Sequence, residues 1–381
     1  MKRTMKKMVS MALTGTMAVA VLAGAGTSEV KAADKAKIGV LVADVSGEEA
    51  QGFRSYYENY IAGNYDVEFN YTDALQSAED EKTAIEKFAS QGCQAIISFS
   101  SNDRVQQIET CEKYGVYYAV ASGVLDDAQY ETYKTYEYFA GQVGPGNDTE
   151  FEAGKDMGAY YKEQGVSKVA IYGAFIPNPM HVYRVAGVLN GLGCTYGGES
   201  DMNAIAGQIF QDQTVDLSKV EGDVEVVSYL QGYGDTTTDE LNAAIQKTPD
   251  AFISVGMATT FFAQSLSEAG ISFSDIDSFT ETNGNSMKNG TLTYLAGQYS
   301  SSIGPVFALV MNAINGNVIR DENGNAPSIS QGYLVATDSD TFDKYSVSDS
   351  GDAPIYDKET LDSIIGDNVT FEDVKTLVES K

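Results

Sequence analysis

The chain has 381 residues, with 25 lysines and arginines against 54 aspartates and glutamates, a formal net charge of −29, one histidine and three cysteines. So acidic a surface repels nucleic acid and anionic lipid. The three cysteines are far apart and form no CxxC, which argues against a metal cluster or dithiol redox centre, and the length is comfortable for two cores rather than one.

Lys2, Arg3, Lys6 and Lys7 form a basic start, followed by an uncharged Ala/Val/Leu/Met-rich run from Met8 to about Gly26. Val30-Lys31-Ala32 places small residues at −3 and −1 of a cleavage site. This is the three-part pattern of a secretory signal peptide over residues 1–32. A membrane anchor is the competing reading, because the run is about long enough to span. Leu22-Ala-Gly-Ala25 is similar to a bacterial lipobox with Ala25 in place of the lipidated cysteine, so no thioether lipid forms there. An exported protein at the periplasmic or extracellular face of the membrane is expected.

After residue 33 the apolar periodicity switches between short buried strands and amphipathic helices every 10–18 residues. Strands are expected at 37–44, 66–71, 95–100 and 116–121, with helices at 46–63, 77–92 and 104–114 between them. The pattern restarts with a strand at 139–143, a helix at 150–164, a strand at 167–175 and a helix at 182–192. Residues 194–223 are Gly-rich and polar and look like an insertion. Strands at 224–230, 251–255, 276–280, 292–298 and 331–336 follow, with helices at 238–247, 259–269 and 302–315. The acidic tail reads as loop, then two helices at 358–365 and 371–379. Apolar strands alternating with helices predict an α/β protein of two doubly wound parallel-sheet lobes.

Enzyme signatures are absent: no GxSxG, Walker A, HExxH or GxGxxG after a strand. His181 has no Cys, Asp or Glu at ligand spacing, so no metal site is expected, and no cofactor. Asp321-Glu-Asn-Gly-Asn325 has the oxygens of a calcium loop but lacks the distal Glu, and reads as a turn. Cys93 and Cys111 are placed to reach the same end of a sheet, so a disulfide between them is an open expectation.

Four stretches, in this order and spacing, resemble the type I periplasmic binding proteins, especially the ribose/galactose-like sugar-binding branch. They are Lys37–Asp44 with the Phe53-bearing helix; Phe175 through Arg184-Val-Ala-Gly187; Thr248-Pro-Asp-Ala-Phe-Ile-Ser-Val255 with its following helix; and Asp277-Ser-Phe-Thr280 through Gln298 and the helix ending Ile314-Asn-Gly316. The resemblance covers about residues 37–336. It implies a first lobe of 33–141 plus 299–328 and a second of 142–298 plus 329–381 with a C-terminal extension, joined by a three-strand hinge. It also implies a monomeric carrier that binds a sugar or related polyol between its lobes and delivers it to an ABC transporter permease. A sensor that hands its ligand to a receptor, and a nucleoside ligand, stay open beside this. Two departures stand out: the strand end where the sugar binders carry an Asp is read here as Phe279-Thr280-Glu281, and Gly256-Met257-Ala258 replaces their Asn-Asp.

The resemblance places Arg184 in the cleft, where its fork of donors suits hydroxyls, carboxylates or phosphate, and Gln298 at a crossover. Ser46, Ser101, Asn102, Ser122 and Thr280 are polar residues at strand ends or in the loops after them; Ser46 serves equally as a helix cap. Phe53 and Phe175 offer ring faces for stacking, and His181 lies in a loop beside the expected cleft.

Overall fold

A computed structural model of the chain describes residues 35–232, 234–348 and 354–381. The expected leader and Ala25 lie outside these residues. Among the described residues, no helix is long and apolar enough to cross a membrane.

The strands are β1 (Ala36–Leu41), β2 (Val67–Tyr71), β3 (Ala95–Ser98), β4 (Tyr117–Val120), β5 (Phe139–Gly144), β6 (Lys168–Tyr172), β7 (Thr195–Tyr196), β8 (Val220–Glu221), β9 (Glu225–Leu230), β10 (Ala251–Ser254), β11 (Ser272–Ile276), β12 (Leu292–Gly297), β13 (Ser328–Ser330) and β14 (Leu334–Ala336). They build two six-stranded sheets, β13-β5-β4-β3-β1-β2 and β14-β12-β11-β10-β6-β9, with β7 and β8 paired separately. All pairs in the first sheet are parallel; in the second only β14 runs antiparallel, against β12. Helices cover both faces, which is why β3, β5 and β10 are buried at every position.

The chain passes from the first sheet to the second after β5, returns after β12, and crosses again between β13 and β14. These three crossings make the hinge. The two lobes therefore repeat one architecture, but their cores differ. In the first lobe the helix Gly304–Ile314 is almost wholly buried, and its Phe307 lies among the rings of Tyr57, Phe69 and Tyr65. In the second lobe the helices Asn147–Glu163 and Pro179–Gly191 meet backbone to backbone. A Cβ added at Gly154 would lie 2.0 Å from the Arg184 carbonyl oxygen, and one at Gly187 would lie 2.0 Å from that of Phe151. Only glycine permits that approach.

Several expectations need correction. The strand expected at 276–280 lies at 272–276, and Thr280 is instead the N-cap of the helix Glu281–Lys288, accepting from the Asn283 N–H. The shift puts Asp275 and Asp277 at the strand end, where Phe279-Thr280-Glu281 had been placed. Residues 194–223, left unassigned in the sequence apart from one possible short helix, hold the helix Met202–Asp212 and the β7–β8 pair, which fold onto the second lobe with Tyr196, Ile205 and Ile209 in its core. The assignment of 329–381 to the second lobe holds only in part. The helix Ser339–Ser348 stays there, with Phe342 buried, but Tyr356, Leu361, Ile364, Val374 and Val378 pack into the first lobe. The Tyr56 hydroxyl donates to the Tyr356 carbonyl at 2.6 Å, and Asn312 Nδ2 to that of Ile364 at 2.8 Å. All three cysteines are free and buried, so Cys93 and Cys111 share an apolar cluster without a bond.

Candidate ligand-binding cleft

Both sheets have the strand order of a doubly wound fold with one reversal: β2-β1-β3-β4-β5 in the first lobe and β9-β6-β10-β11-β12 in the second. At such a reversal the flanking loops leave in opposite directions and open a crevice at the carboxyl ends of the strands. In the first lobe that crevice lies beyond β1 and β3; in the second, beyond β6 and β10.

A cavity of about 150 Å³ opens at the first crevice, lined by Val42, Ala43 and Asp44 after β1, by Phe99 after β3, and by Glu49, Phe53 and Arg54 of the helix Glu48–Ser55. Phe53 stacks on Phe99 with centroids 5.4 Å apart, giving the cavity an aromatic wall. Asp44 accepts from the Ser46 and Gly47 N–H groups at 2.9 Å; these donors, Ser46 foremost, hold its carboxyl below the ordinary value. Arg54 is committed to Glu58, through Nε at 3.0 Å, and lies over the Tyr71 ring.

The second wall is built on Arg184 and His181, both on the helix Pro179–Gly191 and only 6% and 5% exposed. Arg184 Nε donates to Glu150 at 2.6 Å, Nη2 donates to the Tyr333 hydroxyl at 2.7 Å, and Nη1 donates to the Val255 carbonyl at 2.8 Å. Tyr333 in turn donates to Glu150. Burial pushes Glu150 up while the charge and hydrogen bond of Arg184 and the Tyr333 hydroxyl oppose it; the guanidinium keeps its proton. His181 is held neutral, its pKa lowered to about 3 by burial and then by the charge of Arg184. Its Nδ1 meets the Phe175 backbone at 3.1 Å, while Nε2 sits beside Gly256, just past the end of β10.

At the end of β11 lie two aspartates, Asp275 within the strand and Asp277 just past it. Asp275 is fully buried and structural: it accepts from the Ser254 hydroxyl at 2.9 Å and the Thr259 N–H at 3.0 Å. Asp277 accepts from Asn283 Nδ2 at 3.1 Å. Burial raises both carboxyls.

The lobes touch across the cleft. The Ser278 hydroxyl donates to Glu49 at 2.5 Å, and that of Thr282 to Glu48. A second cavity, of about 250 Å³, lies between Glu48 and Glu49 on one side and Ser278, Thr280, Gln298 and Tyr299 on the other. A third, of about 270 Å³, lies where Tyr130 and Asp127 of the first lobe face Tyr183 and the inserted residues Met202 and Asn203. Water reaches Glu49, yet the surrounding walls crowd its carboxyl and raise its pKa, with Ser278 opposing and Asp277 reinforcing the rise.

Phe53 and Ser122 line the first cavity, and Thr280 and Gln298 the second. Arg184 and His181 stand behind them. The Phe175 ring packs against that of His181 at 5.6 Å. Ser46 bonds Asp44 and Ser101 is exposed. Asn102 is exposed but committed: its backbone and side chain both donate to the buried Glu81, at 2.9 and 3.0 Å. Asp277, Glu150 and Tyr333 were missed. The signal for Asp277 was present in the strand pattern, but the strand was read four residues too late.

No protein-family model matches the sequence, and no curated protein matches it. Solved structures do match. The periplasmic binding protein of the arabinose ABC transporter from a Shewanella species, bound to L-arabinofuranose, superposes with a TM-score of 0.58 at 16% identity, covering 82% of this chain and 95% of that one. An ABC transporter solute-binding protein from Bacillus halodurans with myo-inositol gives 0.58 at 18%, covering 83% and 99%. One from Actinobacillus succinogenes with D-allose gives 0.61 at 17%, covering 82% and 100%. The fold of this chain is that of the type I periplasmic binding proteins.

Proposed function

We propose that this protein is an exported solute-binding subunit that closes its two lobes on a small polar ligand, a sugar or related polyol, and delivers it to an ABC importer. One observation carries the reading. The first lobe's strand-order reversal opens into a cavity walled by the aromatic pair Phe53 and Phe99, and Glu49 is shared between it and a second cavity lined by polar groups of both lobes. Three crossings of the chain suit a hinge that closes around a ligand. The likeness to binding proteins solved with arabinofuranose, myo-inositol and allose supports the same class of solute. In this reading the protein is a carrier: His181 is neutral and tied to the Phe175 backbone.

Thermal unfolding against pentoses, hexoses, inositols and nucleosides at millimolar concentration tests it. A ligand that binds only the folded chain raises the melting temperature by several degrees once it exceeds its Kd about a hundredfold. No shift from any small polar solute would contradict the reading.

A further inference from the structure

The third cavity, of about 270 Å³, differs from the other two in what builds it. On one side stand Asp127 and Tyr130 of the first-lobe helix Asp127–Tyr133. On the other stand Tyr183 of the second lobe and Met202 and Asn203, the first two residues of the helix Met202–Asp212. That helix lies in the stretch 194–223 that reads as an insertion, so the far wall is an addition to the plain two-lobed fold. The wall is firmly set. Asp201 caps the helix by accepting from the Asn203 and Ala204 N–H groups at 3.0 Å, and the Tyr183 ring meets that of Phe210 edge to face at 6.4 Å. Gln142, another lining residue and only 1% exposed, accepts from the Leu125 N–H at 2.9 Å and donates to the Ser328 hydroxyl at 2.8 Å. It ties the loop after β4 to β5 and β13, so this part of the cavity is ordered before any ligand arrives.

The third cavity adjoins the first. They share the loop after β4, which gives Ser122 to the first and Val124 and Leu125 to the third. Arg104 holds that loop by donating to the Ser122 and Val124 carbonyls, the latter at 2.6 Å. At about 150 Å³ the first cavity falls short of the smallest ordinary ligand sites, about 300 Å³, and joined to the third it exceeds them.

The groups around the third cavity suit hydroxyls. Among the described residues its lining holds two carboxylates, Asp127 and Asp148, and no basic side chain, so an anionic group is repelled there. Asn203 Oδ1 accepts from the Tyr183 hydroxyl at 3.1 Å, which leaves its Nδ2 to donate. The Asn147 side chain makes no hydrogen bond among the described residues. Carboxylates accept from hydroxyls, amides both donate and accept, and the rings of Tyr130 and Tyr183 offer flat faces to the apolar face of a sugar.

We infer that the third cavity is a second sugar subsite, and that the ligand is a saccharide of linked rings, one in the first cavity against Phe53 and Phe99 and the next between Tyr130 and Tyr183. This rests on the function proposed above and narrows its substrate class. Tyr130 and Tyr183 belong to opposite lobes, so a ring held between them makes contacts that exist only when the lobes are together. The second ring therefore favours closure.

Matched saccharides test the inference by calorimetry at pH 7: cellobiose and maltose against glucose, xylobiose against xylose, and 1,4-β-D-galactobiose against galactose. In at least one pair the disaccharide is expected to bind about tenfold tighter or better. Asn203→Ala removes the amide and is expected to shrink that margin; Asn203→Trp fills the cavity and is expected to abolish it. Asn203 is exposed, so both variants are expected to fold, which thermal unfolding without ligand checks. Monosaccharides that bind as tightly as their disaccharides in every pair, or a margin that both variants leave intact, would overturn the inference and leave the proposed function standing. Binding of none of these saccharides would overturn it too, and the wider thermal screen described above then decides the proposed function separately.

Discussion

Each lobe buries a glutamate behind its cleft face, and the two are held in different ways. In the first lobe Glu81 is fully buried and meets only neutral donors: the Ser100 hydroxyl at 2.5 Å, the Asn102 backbone and side chain, and the Asp103 N–H at 2.9 Å. Burial acts to raise its pKa, yet these donors together win and lower it. In the second lobe Glu150 meets the charge of Arg184 and a phenol, Tyr333, carried by the hinge. A negative charge inside a lobe is thus stabilised either by fixed dipoles that belong to one loop or by a countercharge that spans several elements. The first arrangement fixes the local shape of the loop after β3. The second ties the start of the helix Asn147–Glu163, the helix Pro179–Gly191 and the hinge into one unit.

The contrast is sharpest under substitution. Glu150→Ala leaves Arg184 charged, buried and without its partner, and is expected to cost about 3–5 kcal/mol. Glu81→Ala leaves no charge behind, only unmatched donors at Ser100, Asn102 and Asp103, and is expected to cost about 2 kcal/mol. Urea titrations of both variants check the order; equal losses would break the distinction.

A smaller effect separates the lobes by pH. His181, the only histidine, belongs to the second lobe, and its pKa falls from 6.5 to about 3 on folding. The unfolded chain therefore takes up a proton first as the pH drops, and stability is lost between those values, by up to about 1.4 kcal/mol per pH unit. His181→Gln is expected to flatten this acid limb, whatever its effect at pH 7. Glu49 and Asp277 act with the opposite sign: their raised carboxyls favour the folded state at low pH and cost stability as the pH rises past the ordinary carboxylate value. An unchanged slope in the variant would mean that the His181 ring accepts a proton in the folded chain.

Most strands were legible because a parallel sheet covered on both faces demands short apolar runs, and these stand out between polar helices. One exception, β11, reads Ser-Phe-Ser-Asp-Ile; Ser274 and Asp275 are buried, the aspartate bonded to the Ser254 hydroxyl, and that polar content hid it. Asp275 and Asp277 were lost with it. The helix Phe371–Glu379 was expected at its observed bounds, but its apolar face does not say which lobe it covers, so the tail was placed on the wrong one. Arg184 was visible through its spacing to Gly187, whereas Glu150 and Tyr333 lie 34 and 149 residues from it and only folding brings them together.

Mass spectrometry of the solute released when the purified protein is unfolded tests the central claim most directly. The account expects one small polar solute per chain, retained by the native protein and absent from the Phe53→Ala/Asp277→Asn double variant. A native chain that carries and binds nothing, or a double variant that retains the same solute in the same amount, would contradict it.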